Sequence, residues 1–406
     1  MLLVERHMIK KGGSFYDELD NICFLSKNLY NAGLYSIRQH FFKEGDYLNY
    51  NTVQKAFQEE NNVDYRKLPS KVAQQTLMTL DRNFKSFFAL IKKKKTDGEY
   101  KQRIKIPKYL DKKNGRFLTV YTKQALSFKT QGYVKLSGTD VLIKTDKQNI
   151  NQVRVTKGGV NRVLVEVVYE TPNVHMLQNN GRYASIDLGV NNLFTVASNV
   201  IKPVLVNGRP LKSINQFFNK TKAEKQSKLP HIINKKGEKV QRKTSKKINS
   251  LNRKRKNKVR DFLHKSTTIV VNHLVANNIT TLVIGQNKSW KQDINIGKKN
   301  NQNFVCIPHS QAVDMLNYKC RLRGITVITI NESYTSKCSF VDNEEVKKHQ
   351  KYKGKRICRG VFKTQNGKLI NADLNGALNI LKKAIGEFKY SIEVCSTPST
   401  LVVKYK

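Results

Sequence analysis

The chain has 406 residues and a formal charge of +45, from 75 Lys and Arg against 30 Asp and Glu. That length accommodates two or three domains, and so one-sided a charge repels itself unless a polyanion shares it, which makes nucleic acid the default partner. No run of about 20 apolar residues is long enough to cross a membrane as a helix, residues 1–6 lack the apolar core of a signal peptide, and the six cysteines (Cys23, Cys306, Cys320, Cys338, Cys358, Cys395) are too scattered for a disulfide framework. The expectation is a cytoplasmic protein that binds nucleic acid and no membrane.

In chain order, residues 1 to about 12 read as a lone strand. Over residues 16–42, Ile22, Leu25, Leu29 and Ala32 recur at helical spacing, and Leu34 and Ile37 widen the stripe. A second helix is expected from about Thr52. A third starts at Ser70, after Pro69, with Leu77, Leu80, Phe84, Phe87 and Ile91 inward, and ends in Lys92 to Lys95, where positive charge suits the helix dipole. Lys71 and Gln75 fall on its outer side, with Gln74 at the border; such side chains read base edges or are simply solvated. Residues 99–172 turn β-rich, with short runs at 117–121, 125–128, 134–136, 141–143, 153–155 and 162–169. Basic residues interleaved with Tyr121, Tyr133 and Tyr169 suit backbones and stacked bases. These strands predict a small β-barrel-like domain, and if the first strand joins it the helical block is an insertion.

The stretch from Tyr183 to Ser198 predicts a hairpin: Ala184, Ile186, Leu188 and Val190 in one strand, a bend at Asn191-Asn192, which tolerate positive φ, and a return strand over 193–197. Asp187 sits inside the first strand between Ile and Leu, and a carboxylate there needs a positive partner, a metal ion or a basic side chain. A third strand is expected at 204–206. Residues 211–278 then read as a helical hairpin with a basic face, including Arg253, Lys254, Arg255 and Lys256, around a linker at 230–243; such density favours phosphate contact. Strands at 281–284 and 325–330 flank a helix at 310–323, a parallel strand–helix–strand unit. The last helix, 371–383, carries Asp373 in its first turn.

Ser185-Ile-Asp-Leu-Gly-Val-Asn191, Tyr334-Thr-Ser-Lys-Cys-Ser339 and Ala372-Asp-Leu-Asn-Gly-Ala-Leu-Asn-Ile380 closely resemble motifs of the TnpB family of transposon-encoded RNA-guided DNA nucleases, relatives of type V CRISPR effectors. Leu68-Pro-Ser-Lys-Val-Ala-Gln-Gln75 through Asp81-Arg-Asn-Phe-Lys-Ser-Phe-Phe88 is similar to the family's recognition helices, and His264-Lys265 to the end of its second nuclease-domain helix. The resemblance spans essentially the whole chain. It implies an α+β multidomain fold: a β-barrel-like wedge domain at 1–14 and 96–175, a helical recognition domain at 15–95, a RuvC-like (RNase H-like) α/β nuclease domain at 180–337 and 370–390, a ribbon at 338–369 and a tail at 391–406. It also implies a prokaryotic cytosol, an omega-type non-coding guide RNA, a double-stranded DNA target beside a short motif read in part by Lys71 and Gln75, and hydrolysis by two Mg²⁺ ions held by three carboxylates.

Asp187 and Asp373 match the first and third of those acids. The second departs from the pattern, since Gly285 and Gln286 stand where the family has Glu at the end of the fourth strand. One strand over, a Glu side chain spans about one 4.8 Å strand spacing, so Glu332 is expected to supply the missing acid; Asp293 and Asp342 are weaker substitutes in polar loops. The family's paired zinc-binding cysteines are reduced to Cys338-Ser-Phe-Val341 and Cys358-Arg-Gly-Val361, and two thiols, even with His349, predict a ribbon held by apolar contacts without zinc. Two readings from other classes stand beside the guided nuclease: a nuclease-inactive, RNA-guided repressor, and a transposase or structure-selective nuclease that uses no guide.

Overall fold

Residues 1–97, 100, 102–233, 237–287, 297–388, 390 and 398–403 are described by a computed structural model of the protein. It separates into two units, Met1–Asn173 and Val174–Lys406. In chain order the first contains β1 (Leu2–Lys10), α1 (Tyr16–Glu44), α2 (Tyr50–Glu59), α3 (Val63–Arg66), α4 (Ser70–Thr96), β2 (Thr119–Thr122), β3 (Leu126–Ser127), β4 (Tyr133–Leu136), β5 (Leu142–Lys144), β6 (Ile150–Gly159) and β7 (Arg162–Glu170). β1 pairs antiparallel with β7 along its length, Leu2 opposite Glu170 and Lys10 opposite Arg162. The helices are therefore inserted between strands of one sheet.

Each helix forms where its apolar stripe has something to cover. Ile22, Leu29, Leu34 and Ile37 of α1 share one core with Leu77, Leu80 and Phe84 of α4 and with Val153, Val155, Val163, Val165 and Val167 of β6 and β7. Helices thus bury the inner face of the sheet, which has no need to curl onto itself. The expected barrel does not close: the strands make one sheet in the order β1-β7-β6-β2 and a separate antiparallel sheet β3-β4-β5. Tyr121 is also unavailable for stacking on bases, because its ring is fully buried in this core.

The second unit contains β8 (Tyr183–Leu188), β9 (Asn192–Ser198), β10 (Val204–Asn207), α5 (Arg209–Ser227), β11 (His231–Ile233), β12 (Lys239–Gln241), α6 (Lys246–Ala276), β13 (Thr281–Gly285), α7 (Lys298–Val305), α8 (His309–Arg321), β14 (Thr326–Ile330), β15 (Lys355–Cys358), β16 (Val361–Lys363), β17 (Leu369–Asn371), α9 (Ala372–Ile385) and β18 (Ser399–Leu401). The six-stranded sheet runs β14-β13-β8-β9-β10-β18. β13 is parallel to both β8 and β14, and β8, β9 and β10 are antiparallel neighbours.

Alternation along β8 sends its residues to opposite faces. Ala184, Ile186 and Leu188 enter a core with Phe262, Leu263 and Val270 of α6 and Ala312 and Leu316 of α8. Ser185 faces the other way, and its hydroxyl donates to Ala377 O of α9 at 2.6 Å. Asp187 shares that face by parity. The α9 helix starts at Asn371, whose side chain accepts from Asp373 N and Leu374 N, a cap that satisfies otherwise orphaned donors.

Several expectations are corrected. The hairpin turns without positive φ at Asn191 or Asn192. The linker at 230–243 holds the antiparallel pair β11–β12, and His264 and Lys265 lie in the middle of α6 rather than at its end. The tail supplies β18, parallel to β10 with Leu205 opposite Thr400. Among the described residues no helix is long and apolar enough to cross a membrane. Asp293 and Cys395 fall outside the described residues.

Candidate active site

One open cleft of about 810 Å³ lies at the ends of β8 and β13, and Asp187, Glu332 and Asp373 all line it. Asp187 comes from β8 and Asp373 from the first turn of α9, while Glu332 follows β14 directly. The α9 backbone runs so close that a Cβ on Gly376 would lie 3.1 Å from Asp187 Oδ2. Burial first, then the charges of Glu332 and Asp373, push the Asp187 carboxyl up to about 7. Burial also raises Glu332. These are acids held together against their own repulsion.

The position of Glu332 has a steric explanation. The pairing of Ile284 with Ile186 leaves Gly285 beside Asp187, on the α9 face. A Cβ placed on Gly285 would collide with the Ile380 side chain and stand 3.2 Å from Glu332 Cβ. Glu332 therefore enters the space that a side chain on the fourth strand would claim. Gln286, one residue further, is directed to the opposite face by alternation, and its backbone N–H donates to Ile330 O at 2.9 Å. Asn287 holds Glu332 in place: its amide donates to Glu332 Oε1 at 3.4 Å, and its Oδ1 accepts from Glu332 N at 3.2 Å.

Asp373 is held from two sides. Asn192 Nδ2 donates to Oδ2 at 2.9 Å, and Arg356 of β15 donates to Oδ1 at 3.0 Å. The bend residue Asn191 accepts from Lys212 Nζ at 2.9 Å and from Gly208 N at 2.7 Å, which fixes the loop that presents Asn192. Arg209, Lys337, Arg356 and Arg359 line the cleft together with the acids, an arrangement suited to a phosphodiester. Neither Arg356 nor Asn287 stood out in the sequence, and Asn192 did so only as a bend residue. With 75 Lys and Arg in the chain, one arginine carries no signal until the fold sets it on an acid.

Whether these residues suit divalent ions can be tested on the donors themselves. Three hard oxygen donors line one cleft, and the charges of Glu332 and Asp373 add to burial in raising Asp187, the situation a dication relieves. The carboxylates are not gathered into a closed ligand set, since among the described residues no three Asp, Glu, His or Cys side chains are grouped to hold an ion. The Arg356 guanidinium stands on Asp373 in the place of a cation. The donor chemistry suits the ions, while the three acids share the cleft without being drawn together around one point.

The ribbon is organised without a thiol cluster. Cys338 is buried and its Sγ donates to Lys347 O at 3.5 Å, while Cys358 is exposed on the cleft. The buried Glu344 carboxylate accepts from Ser339 N at 2.7 Å and Lys353 N at 3.0 Å. His349 is bound to Glu345 O at 2.8 Å. Asp342 lies in a loop, yet it is fixed by Ser339 Oγ and Gln365 N and serves the ribbon. Asn375 and Asn379 of α9 both donate to Cys338 O, at 2.8 and 2.7 Å, and Asn379 also donates to Thr335 O at 2.8 Å. Burial pushes the Cys23 and Cys320 thiols up to about 12, as befits small apolar core residues.

The nucleic-acid candidates separate. Lys71 is exposed, and Gln75 lines a groove of about 660 Å³ with Asn49, Asn51 and Arg82. Lys256 is exposed and Arg253 half-buried, donating to Ser250 Oγ at 3.2 Å. Arg255 is a correction: it donates to Asn215 Oδ1 at 2.7 Å and Cys306 O at 3.1 Å and lies over the Phe218 ring. These donors tie α6 to α5 and to the residue after α7 instead of being presented to solvent.

Residues 166–291 match the family described as a probable transposase, OrfB_IS605, and residues 309–380 match the Cas12f1-like TNB domain. A TnpB-like protein, ORF457 of Acidianus two-tailed virus, is 24% identical over 404 residues, covering 91% of this chain and 84% of its own length. The mini-RNA-guided endonuclease Cas_phi3 shares the fold at a TM-score of 0.51 and 9% identity, over 95% of this chain and 93% of that one. A Cas12f1 chain solved with sgRNA and target DNA aligns more loosely, with a TM-score of 0.35 and 14% identity over 93% of this chain and 98% of that one.

Proposed function

The chain is a member of the TnpB family, and from that premise we propose that it is an RNA-guided DNA endonuclease with a RuvC-like site. A guide RNA would occupy the basic surfaces, and base pairing would select a double-stranded DNA target next to a short flanking motif. The observation that carries the nuclease reading is the convergence of Asp187, Glu332 and Asp373 on one cleft rimmed by Arg209, Lys337, Arg356 and Arg359.

Asp187, Glu332 and Asp373 would hold the Mg²⁺ ions. Bound there, the ions supply charge neutralisation at the phosphate and a water of lowered pKa. The rest is done by the chain. Asn287 keeps the Glu332 carboxylate aimed into the cleft, and Asn192 keeps Asp373 at its margin. Arg356, freed from Asp373, has donors for a non-bridging phosphate oxygen. Buried α9 fixes the distance between the first and third acids through Ser185 and Gly376.

The repressor reading draws its support from the missing acid of the fourth strand, and the position of Glu332 beside Gly285 is what favours the nuclease reading over it. The test is to purify the chain with its RNA, sequence that RNA, and offer DNA matching its 3′ end in Mg²⁺. Cleavage by the parent, with Glu332→Gln slower by several orders of magnitude yet still binding, is the expected result. A parent that binds but never cuts in Mg²⁺ or Mn²⁺ returns the repressor reading. Cleavage independent of any RNA returns the guide-free nuclease.

A further inference from the structure

Tyr334 occupies a position that a turn would give to a smaller residue. Its φ is 69°, in the left-handed region that bulky side chains adopt rarely. Thr335 N–H donates back to Glu332 O at 3.2 Å, and Thr335 Oγ1 to the same oxygen at 2.8 Å. Tyr334 is thus the third residue of a tight turn, a place where positive φ selects Gly or Asn. The kink sends Thr335 into the interior, where it is 2% exposed, and leaves the Tyr334 ring 38% exposed on the wall of the acidic cleft. A ring that contributes little to a core and strains its own backbone is not explained by stability, and such outliers gather at functional sites.

The surroundings identify the ligand. Within the same cleft are three carboxylates and the side chains of Arg209, Lys337, Arg356 and Arg359, which suit a phosphodiester. A flat aromatic beside a phosphate site suits the base attached to that phosphate, provided the base is unpaired. We propose that Tyr334 is a positioning residue that stacks on an unpaired base next to the scissile phosphate and sets where the strand is cut. The proposal rests on the nuclease reading for its cleavage arm, whereas the stacking itself is read independently.

Two measurements test it. In single-turnover cleavage by the guide complex, Tyr334→Ala should lower the rate constant at subsaturating enzyme about tenfold or more and spread the cut over neighbouring positions, while Tyr334→Phe stays parental in both. In the second, a single-stranded DNA oligonucleotide carrying 2-aminopurine is bound to the same proteins. Quenching should be strong with the parent and Tyr334→Phe and weak with Tyr334→Ala. Tyr334→Gly, which relieves the positive φ, should melt no lower than the parent and yet behave as Tyr334→Ala. Parental cut positions and parental quenching in Tyr334→Ala overturn the proposal. If the parent never cleaves but the quenching still depends on the ring, the stacking stands and the nuclease reading falls.

Discussion

Replacing Asp187 by Asn isolates the energetic cost of charge at the centre of the cleft. Burial and two neighbouring carboxylates lift the Asp187 carboxyl from 3.8 to about 7. Each unit is worth about 1.4 kcal/mol, so the ionised group takes at most about 4 kcal/mol from the metal-free fold above pH ~7. Solvent in the open cleft screens part of this, and about 2 kcal/mol is a better working figure. The direction follows from the raised value. Below about pH 4 both folded and unfolded chains hold the proton, and between about 4 and 7 the unfolded chain gives it up first, so stability falls as pH rises through that window. In chelator at pH ~8, Asp187→Asn should melt about 4–8 °C above the parent in the transition of the second unit; at pH ~4 the two should coincide. Millimolar Mg²⁺ should raise the parent and leave the variant unchanged. The assay is a set of thermal melts under these conditions. A variant no more stable than the parent at pH ~8, or equally stabilised at pH ~4, refutes the argument.

Gly285→Ala should destabilise by about 1–3 kcal/mol in chemical denaturation, because the new methyl meets Ile380 and Glu332; a neutral result would show that the acid does not fill that space. Gln286→Glu should fail to rescue cleavage in Glu332→Gln, since its side chain leaves on the other face, and rescue would disprove the register argument. Cys338→Ser should cost about 1–2 kcal/mol for a hydroxyl placed in a buried site, and Cys358→Ser almost nothing; stoichiometric zinc in the purified protein, or a melt that drops with chelator, would contradict the thiol-independent ribbon. Affinity for RNA should fall steeply with salt, and a log–log slope near zero would count against the basic surfaces as phosphate contacts.

Much of this was legible in the sequence because the patterns were periodic. The stripes of α1 and α4 and the alternation in β7 and β8 each show which face is buried. Asp187 and Asp373 can be picked out because a carboxylate in an apolar strand or in the first turn of a helix stands out against its neighbours, whereas Glu332 is reached only through the family resemblance and the acid missing at Gly285. What stayed hidden depends on distance through space. Nothing local distinguishes Arg255, which is spent on Asn215, from the exposed Lys256. Tyr121 looks like any tyrosine in a basic strand until helices cover it. Barrel closure is hidden for the same reason: strand count is visible, but closure depends on whether helices already cover the inner face. Gly285 shows in the sequence only as a missing acid, and its closeness to Ile380 and Glu332 is visible only through space.

The α9 helix joins two requirements that a protein could have kept apart. Its Leu374, Ala377, Leu378 and Leu381 are fully buried on the sheet face that carries Asp187, and its first turn supplies the last acid. During synthesis the ribosome delivers Asp187 and Glu332 well before this helix emerges. On the proposed function, a nascent or prematurely terminated chain therefore lacks a carboxylate and exposes an apolar face at once, so it cannot cut and is marked for proteolysis by the same omission. On that reading, completion of the fold and completion of the acid set become a single late event.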